Sequence, residues 1–324
     1  MKNLFAAVML LILSVSPSGE SLAQQVDEQK AVLITGASTG IGRNMAETLA
    51  KEGWFVYAGA RKQADIDELS AIDNIMGVRL DVNVQEDIDA AVALIESEGR
   101  GLFGLVNNAG VGVLGPLIEV AEEDMHFQMN VNVYGPYRVT RAFAPLIIES
   151  KGRITTTGSI SGILSGFMFG PYSMSKHAVE AFTDSLALEM RKFDVAVSVI
   201  EPGNYRSAIV DNIFERLEAR GVSTEGSLYR EEYERMLSNF QGEGYDRNYV
   251  KEPDEVSAAL LDFLSDDTPK RRYMVVPNER SAEVTIRKAI AELTELNQDH
   301  VYTYSRDELV AMLDEALGAL EKEN

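Results

Sequence analysis

Short apolar runs rich in β-branched residues alternate with longer segments of helical periodicity from residue 29 onward. An alternation of this kind is typical of βαβ units on a parallel sheet. Seven runs fit strands, at residues 31–35, 54–58, 75–80, 103–106, 153–157, 195–200 and 273–276. The pattern therefore predicts an α/β fold in which residues 29–280 form one doubly wound domain around a seven-stranded parallel sheet.

Segments of helical periodicity fill the intervals between these runs. Ile41, Met45 and Leu49 lie at helical spacing, and Gly53 is suited to end that helix. Further helices are predicted at residues 85–98, 122–149, 171–192 and 253–265. Beyond the last strand, residues 281–324 are acidic and helical in pattern, and they predict a C-terminal helical extension.

The N-terminal segment differs from the rest of the chain. Lys2 precedes an apolar run at residues 4–15, and the small-x-small sequence Ser21-Leu22-Ala23 follows. This arrangement predicts a signal peptide at residues 1–23 and an exported or periplasmic protein. The run is shorter than the ~20 residues that span a bilayer. A membrane-associated N-terminal helix is the alternative, with the protein cytoplasmic or membrane-associated if the signal is not used.

Composition and charge exclude several classes of function. The 51 acidic and 30 basic residues give a formal net charge of -21, which repels phosphate backbones and argues against a nucleic-acid partner. The chain has no cysteine, so it contains no disulfide, thiolate nucleophile or cysteine-ligated zinc. Its three histidines are widely separated, and we predict no metal site.

A glycine-rich loop, with the sequence TGASTGIG at residues 35–42, follows the first predicted strand and opens a helix. Such a loop permits a tight turn and lets the backbone approach a pyrophosphate, while the helix N-terminus offers unpaired N–H groups to the phosphates. A glycine-rich turn without a ligand is the alternative. The loop predicts a dinucleotide site that includes Gly36, Ser38, Thr39, Gly40, Ile41 and Gly42.

The residues after the second and third strands bear on the choice of dinucleotide. Where an NAD-binding protein usually carries an acid for the ribose 2′-hydroxyl, this chain has Ala60-Arg61-Lys62. A guanidinium matches a 2′-phosphate, so Arg61 favours NADP over NAD, although it is also compatible with a solvated loop arginine. Asp81, at the end of the third strand, is predicted to meet the adenine edge or to cap the following helix.

Tyr172 and Lys176 lie one helical turn apart, and Ser159 lies thirteen residues upstream of the tyrosine. On a helix this spacing brings the ammonium group beside the phenol ring. A nearby cation favours the phenolate, so the pair predicts a proton-transfer site. An ordinary amphipathic pair has the same spacing, and only the surrounding motifs distinguish the two interpretations.

Six motifs in this order resemble those of the short-chain dehydrogenase/reductase family over roughly residues 30–277. They are the glycine-rich loop, Asn107-Asn108-Ala109-Gly110, Asn132, Ser159, Tyr172 with Lys176, and Pro202-Gly203. The resemblance implies a compact Rossmann domain that catalyses NAD(P)-dependent oxidation or reduction. Glu201 and residues 179–182 look most like the branch that includes retinol and hydroxysteroid dehydrogenases.

The resemblance also implies roles for particular residues. Tyr172 would be the general acid/base, Lys176 would lower its pKa and hold the nicotinamide ribose, and Ser159 would polarise the substrate carbonyl. Asn132 would hold a helix kink and a water that links Lys176 to solvent. Further contacts to the cofactor are expected from Asn108, Ala109, Gly110, Pro202 and Gly203.

Two segments indicate a hydrophobic alcohol or carbonyl substrate. Residues 163–169 are apolar and are expected to line the substrate cleft, and residues 204–250 form a long insertion that resembles the family's substrate lid.

We further expect a homo-oligomer. The alternatives are an idle dinucleotide-binding sensor or scaffold, and an isomerase or dehydratase on the same fold. Export conflicts with the need for dinucleotide, because reduced dinucleotide is not ordinarily supplied outside the cytoplasm. The N-terminus also has no twin-arginine pair to indicate export of a folded protein with its cofactor bound.

Overall fold

The predicted parallel sheet is present in the computed structural model, which describes residues 29–241 and 250–323. Its seven strands have the order β3-β2-β1-β4-β5-β6-β7, so the chain winds in one direction from β1 to β3 and then in the other from β4. The strands are β1 Ala31–Ile34, β2 Phe55–Ala60, β3 Ile75–Arg79, β4 Gly104–Asn107, β5 Arg153–Thr157, β6 Ala196–Pro202 and β7 Arg272–Val275. The doubly wound fold and all seven strands are thus confirmed. The signal peptide predicted at residues 1–23 lies outside the described residues.

Strand boundaries differ from the predicted ones where pairing continues past the apolar run. β2 extends to Ala60 because Gly59 and Ala60 pair in register with Val78 and Arg79 of β3. β6 extends to Pro202, which pairs with Val275 of β7. Proline is tolerated there because it is the last residue of the strand.

Helices cover both faces of the sheet, which buries its side chains in two apolar clusters. The helices are α1 Gly40–Lys51, α2 Gln63–Ser70, α3 Gln85–Glu98, α4 Glu122–Met129, α5 Gly135–Glu149, α6 Gly170–Met190, α7 Ile209–Ala219, α8 Arg230–Gln241, α9 Asp254–Ser265, α10 Glu279–Leu296 and α11 Arg306–Glu323. Met45 of α1 and Phe263 of α9 belong to one cluster. Ile88 of α3, Phe143 of α5 and Ala187 of α6 belong to the other. A parallel sheet buried on both faces in this way reads as continuous apolar runs in the sequence.

The structure is helical over the whole predicted segment at residues 122–149, but the segment is not a single regular α-helix. A π-helical segment, Asn130–Tyr134, separates α4 from α5. Periodicity gave no sign of this segment, whereas the family resemblance implied a helix kink at Asn132, which lies within it. π-helical turns are rare and occur frequently at functional sites.

Beyond β7 the chain forms α10 and α11, which confirms the predicted C-terminal helices. Asn278 begins α10 by accepting a hydrogen bond from the Ser281 amide at 3.0 Å. Within residues 29–241 and 250–323, no helix is both long and apolar enough to cross a membrane.

Candidate active site

A cleft of about 500 Å³ opens at the carboxyl ends of the central strands. Parallel α/β sheets bind ligands at this edge, where the winding direction reverses between β1 and β4. Every predicted cofactor-binding residue lines the cleft, and so does Ser159. Asn132 does not line it and lies behind its wall.

The glycine-rich loop forms one end of the cleft. Gly36 and Gly40 have positive φ angles of 65° and 56°, a conformation that favours glycine. α1 begins at Gly40, the Thr39 side chain makes no capping hydrogen bond, and the first turn carries no acidic residue. The N–H groups at this helix end are thus open to an anion. A diphosphate fits this donor set.

Asn108 connects the glycine-rich loop with the segment that follows β4. Its Nδ2 donates to the carbonyl oxygens of Thr35 and Gly36, both at 3.1 Å. Thr35 Oγ1 accepts from the amides of Asn108 and Ala109, both at 3.0 Å. Thr157, at the end of β5, donates to Asn108 Oδ1 at 3.2 Å. These bonds fix the floor of the dinucleotide end.

Arg61 and Asp81 lie at the outer part of this end. Arg61 is exposed and lines the cleft, whereas its neighbour Lys62 is exposed and does not line it. Asp81 accepts a hydrogen bond from the Asn83 amide at 2.9 Å, so its carboxylate holds a turn ahead of α3. The residue at the N-cap of α3 is Val84. Of the two predictions for Asp81, the one in which it caps α3 is therefore wrong.

Tyr172 and Lys176 lie on successive turns of α6 and face the cleft. Pro171 occupies the first turn of this helix, where a missing N–H is tolerated. Lys176 Nζ donates to Thr157 O at 2.8 Å and lies 5.6 Å from the centroid of the Tyr172 ring. Ser159 is buried and accepts from the Ser161 amide at 3.1 Å, which orients its hydroxyl.

Burial has the largest effect on the pKa values of Tyr172 and Lys176. It raises the pKa of Tyr172, and a hydrogen bond with Ser159 opposes this shift. Burial lowers the pKa of Lys176 to about 8, and the negative charge of Glu180 opposes that shift. In this structure the hydrogen bond with Ser159 is therefore what partly offsets the rise in the Tyr172 pKa. The predicted influence of Lys176 on that pKa stays a prediction.

Asn132 lies in the π-helical segment and connects it to the back of the cleft. Its Oδ1 accepts from the Val111 amide at 2.9 Å, and its Nδ2 donates to Val111 O at 3.0 Å and Ser175 Oγ at 3.1 Å. Ser175 Oγ in turn donates to Tyr172 O at 2.7 Å. The segment after β4 is thereby attached to the turn of α6 that carries Tyr172.

Gln128 supports the same segment, and the sequence analysis missed it. Its side chain is fully buried, with Oε1 accepting from the Val113 amide at 2.6 Å and Nε2 donating to Val111 O at 3.0 Å and Ser175 Oγ at 3.2 Å. The one signal in the sequence is a polar residue one turn before Asn132.

The other end of the cleft is mostly apolar. α7 covers it with side chains that include Ile209, Ile213 and Phe214. Arg216 holds this helix to α4 through hydrogen bonds to Asp124 Oδ1, from Nη2 at 2.5 Å and from Nε at 3.1 Å. The prediction that residues 163–169 line the cleft is wrong for all but Phe169, because the segment turns outward and leaves Phe167 63% exposed against Tyr229.

The chain is similar to known dehydrogenases in sequence and structure. A profile of the short chain dehydrogenase family matches residues 30–218. The uncharacterized oxidoreductase YbbO of Escherichia coli is 36% identical over 204 residues, which cover 62% of this chain and 76% of that protein. Rat retinol dehydrogenase 16 is 33% identical over 262 residues, covering 76% and 80%. A Burkholderia phymatum short chain dehydrogenase/reductase solved in complex with NAD has a TM-score of 0.68 and 26% identity, covering 86% of this chain and 98% of that one.

Proposed function

This chain belongs to the short-chain dehydrogenase/reductase family of NAD(P)-dependent oxidoreductases, and we propose that it interconverts a secondary alcohol and a ketone on a hydrophobic molecule. One observation carries the proposal. The glycine-rich loop, Ser159, Tyr172 and Lys176 all border one cleft, although they come from three separate segments of the chain.

The residues of the cleft divide the chemistry between them. A bound nicotinamide dinucleotide would supply or accept the hydride. In the reductive direction Tyr172 donates its hydroxyl proton to the carbonyl oxygen, and the Ser159 hydroxyl donates a second hydrogen bond to the same oxygen. Donors fixed in advance at the atom that gains negative charge stabilise the transition state. Lys176 supplies positive charge beside the phenol and binds the ribose, and Asn132 holds the cleft wall behind Tyr172.

The preference for NADP rests on the outer part of the dinucleotide end. β2 ends at Ala60 without a carboxylate, and the exposed Arg61 follows within the cleft. A guanidinium binds a 2′-phosphate with two parallel hydrogen bonds, and no acid at this position repels the phosphate. We propose that Arg61 makes this contact.

The apolar side chains of the opposite end support a hydrophobic substrate. Leu114, Phe169 and Ile213 border the cleft beyond Tyr172. Such a surface gains about 25 cal/mol for each Å² of apolar ligand area that it removes from water, and it offers little to a sugar or small polar alcohol.

Turnover of NADPH over a panel of hydrophobic ketones tests the function. Tyr172→Phe removes only the hydroxyl, and we expect it to lower kcat roughly 10²- to 10⁴-fold with dinucleotide binding retained. Tyr137→Phe, on the exposed face of α5, is the matched control. Unchanged turnover in Tyr172→Phe would refute the proposed chemistry, and product formation without net consumption of NADPH would indicate an isomerase.

Cofactor preference is tested separately. Charge-assisted hydrogen bonds contribute about 1.5–3 kcal/mol, so Arg61→Ala should raise the KM for NADPH about tenfold or more and leave the KM for NADH nearly unchanged. Lys62→Ala, with the same charge one residue further on, should change neither. Equal losses with both dinucleotides would contradict a role in binding the 2′-phosphate.

We also propose that residues 1–23 direct export and are then removed. The apolar run and the small residues that follow it support this proposal. N-terminal sequencing of the mature protein should then begin after Ala23, and a mature chain that starts at Met1 would contradict it.

A further inference from the structure

Two buried carboxylic acids lie beside the catalytic helix and have no part in the proposed reaction. Glu180 is on α6, one turn beyond Lys176, and its side chain is 14% exposed. Glu201 is near the end of β6 and is 2% exposed. Charged side chains are rarely buried to this extent without partners.

The carboxyl groups are only partly satisfied by the residues around them. Glu180 Oε1 and Glu201 Oε1 are both buried without a hydrogen-bond partner among the described residues. Arg272 Nε, on the neighbouring strand β7, donates to Glu180 Oε2 at 3.2 Å. Two adjacent ionised carboxylates repel each other, and sharing a single proton relieves both the repulsion and the missing bonds.

Protonation equilibria agree with this geometry. Burial, reinforced by the neighbouring Glu180, raises the pKa of Glu201 to about 7. Burial also raises the pKa of Glu180, and Arg272 opposes that shift. The other charged groups that face the pair are Lys176 and Asp184 on α6, and Asp184 is itself paired with Arg272 at 2.7 Å.

Glu180 also lies against the segment that carries Ser159. A Cβ atom at Gly158 would lie 3.2 Å from Glu180 Oε1, and one at Gly162 would lie 2.9 Å from it. Glu201 directly precedes Pro202 and Gly203, which line the cleft. The carboxyl pair therefore lies between the Ser159 segment, the Lys176 turn of α6 and the cleft wall formed by β6.

We propose that Glu180 and Glu201 share one proton and together act as positioning residues, holding the Ser159 segment in place and supplying the negative charge that keeps Lys176 protonated. The inference rests on the proposed function, because it assigns Lys176 a role as an ammonium ion. Loss of the shared proton at higher pH leaves two negative charges in a site where, among the described residues, Lys176 and Arg272 are the cations that act on the pair.

The stability of the folded protein tests the shared proton without reference to catalysis. Because the pKa of Glu201 is raised to about 7 from its ordinary 4.5, its neutral form is favoured in the fold. The stability that the neutral Glu201 carboxyl contributes to the fold is therefore lost as the pH rises from 4.5 to about 7. Glu201→Gln stays neutral, so the melting temperature of the variant relative to wild type should be higher at pH 8 than at pH 5. A difference that is the same at both pH values would overturn the shared proton.

Catalysis tests the effect on Lys176. Glu180→Gln removes the charge that raises the Lys176 pKa, so the basic limb of the kcat/KM profile should move to lower pH. Asp184→Asn, one turn further along α6 and half-exposed to solvent, is the matched control and should leave the limb in place. A basic limb that does not move in Glu180→Gln would overturn the positioning role.

Two further measurements cover the case in which Glu180→Gln does not fold. Wild type at pH 6 should show the infrared C=O stretch of a buried protonated carboxyl, and Glu201→Gln should lack it. Arg272→Gln removes a charge that lowers both carboxyl pKa values in the fold, so the pH-dependent loss of stability should extend to higher pH than in wild type. If the infrared band is absent from wild type, or the stability transition stays in place, the proposal fails. An inactive wild type that shows both effects would refute the proposed function alone.

Discussion

The two ends of the cleft are held in shape by different means. At the dinucleotide end, side chains bond mainly to backbone atoms, and the glycines there leave no space for a larger side chain. A Cβ atom at Gly42 would overlap Asn108 Nδ2 and the carbonyl oxygen of Gly36. At the catalytic end, side chains hold one another: Asn132 and Gln128 both donate hydrogen bonds to Ser175.

This difference predicts two kinds of sensitivity. Closely packed backbone cannot yield to an extra methyl group, so the dinucleotide end should be sensitive to volume. Hydrogen bonds among buried side chains are costly to leave unmade, so the catalytic end should be sensitive to the loss of single polar atoms.

Among the changes that compare the two ends, the largest effect is expected from the loss of a single oxygen at the catalytic end. Ser159→Ala removes the hydroxyl that we propose donates to the substrate oxygen, and loss of one such donor lowers kcat about 10²- to 10³-fold. Steady-state kinetics with NADPH and a hydrophobic ketone measure the change. Ser161→Ala, on the next turn and also lining the cleft, is the control and should stay close to wild type. Equal losses in the two variants would show that general polarity matters rather than one positioned donor.

A smaller effect on folding is expected at the dinucleotide end. Overpacking costs about 1–3 kcal/mol, so Gly42→Ala should lower the free energy of unfolding by this amount and weaken dinucleotide binding. Urea denaturation and fluorescence titration with NADPH measure the two effects. Gly166→Ala is the control, because Gly166 lies in the segment that turns away from the cleft and the nearest atom to the new Cβ is 3.5 Å away. Equal tolerance of alanine at both glycines would contradict the predicted sensitivity of the dinucleotide end to volume.

The smallest effect is expected at the ion pair that holds α7 over the apolar end. Asp124→Asn weakens a half-buried pair with Arg216, worth about 1 kcal/mol, and should raise the substrate KM about fivefold without affecting dinucleotide binding. Glu122→Gln, an exposed residue on the same turn of α4, is the control. An equal rise in KM for the dinucleotide would show that α7 affects both ends of the cleft.

Much of the fold was accessible from local patterns. The strand from Arg153 to Thr157 was predicted with its observed limits, because a buried parallel strand is a continuous run of β-branched residues. The glycine-rich loop was equally accessible, since its positive φ angles restrict the residue type. Boundaries such as that of β2 shifted because pairing with β3 decides where the strand ends.

Most features that depend on contacts across the chain were missed, although the family resemblance implied a helix kink at Asn132. The π-helical segment at Asn130–Tyr134 preserves the apolar pattern on either side, and the contacts of Asn132 with Val111 and Ser175 become visible only in three dimensions. Residues 163–169 are apolar, but packing against Tyr229 turns Phe167 away from the cleft.

The sequence by itself determined the order of strands and helices, the glycine-rich loop and the spacing of Tyr172 and Lys176. Each of these depends on residues that are neighbours in the chain, where conformational preference acts directly. Only the tertiary structure decided that Glu180 and Glu201 meet beside the Ser159 segment, and that Gln128 supports the wall behind Tyr172. Burial and hydrogen bonding between distant segments set these contacts and the protonation that follows from them, because both depend on which groups the fold removes from water.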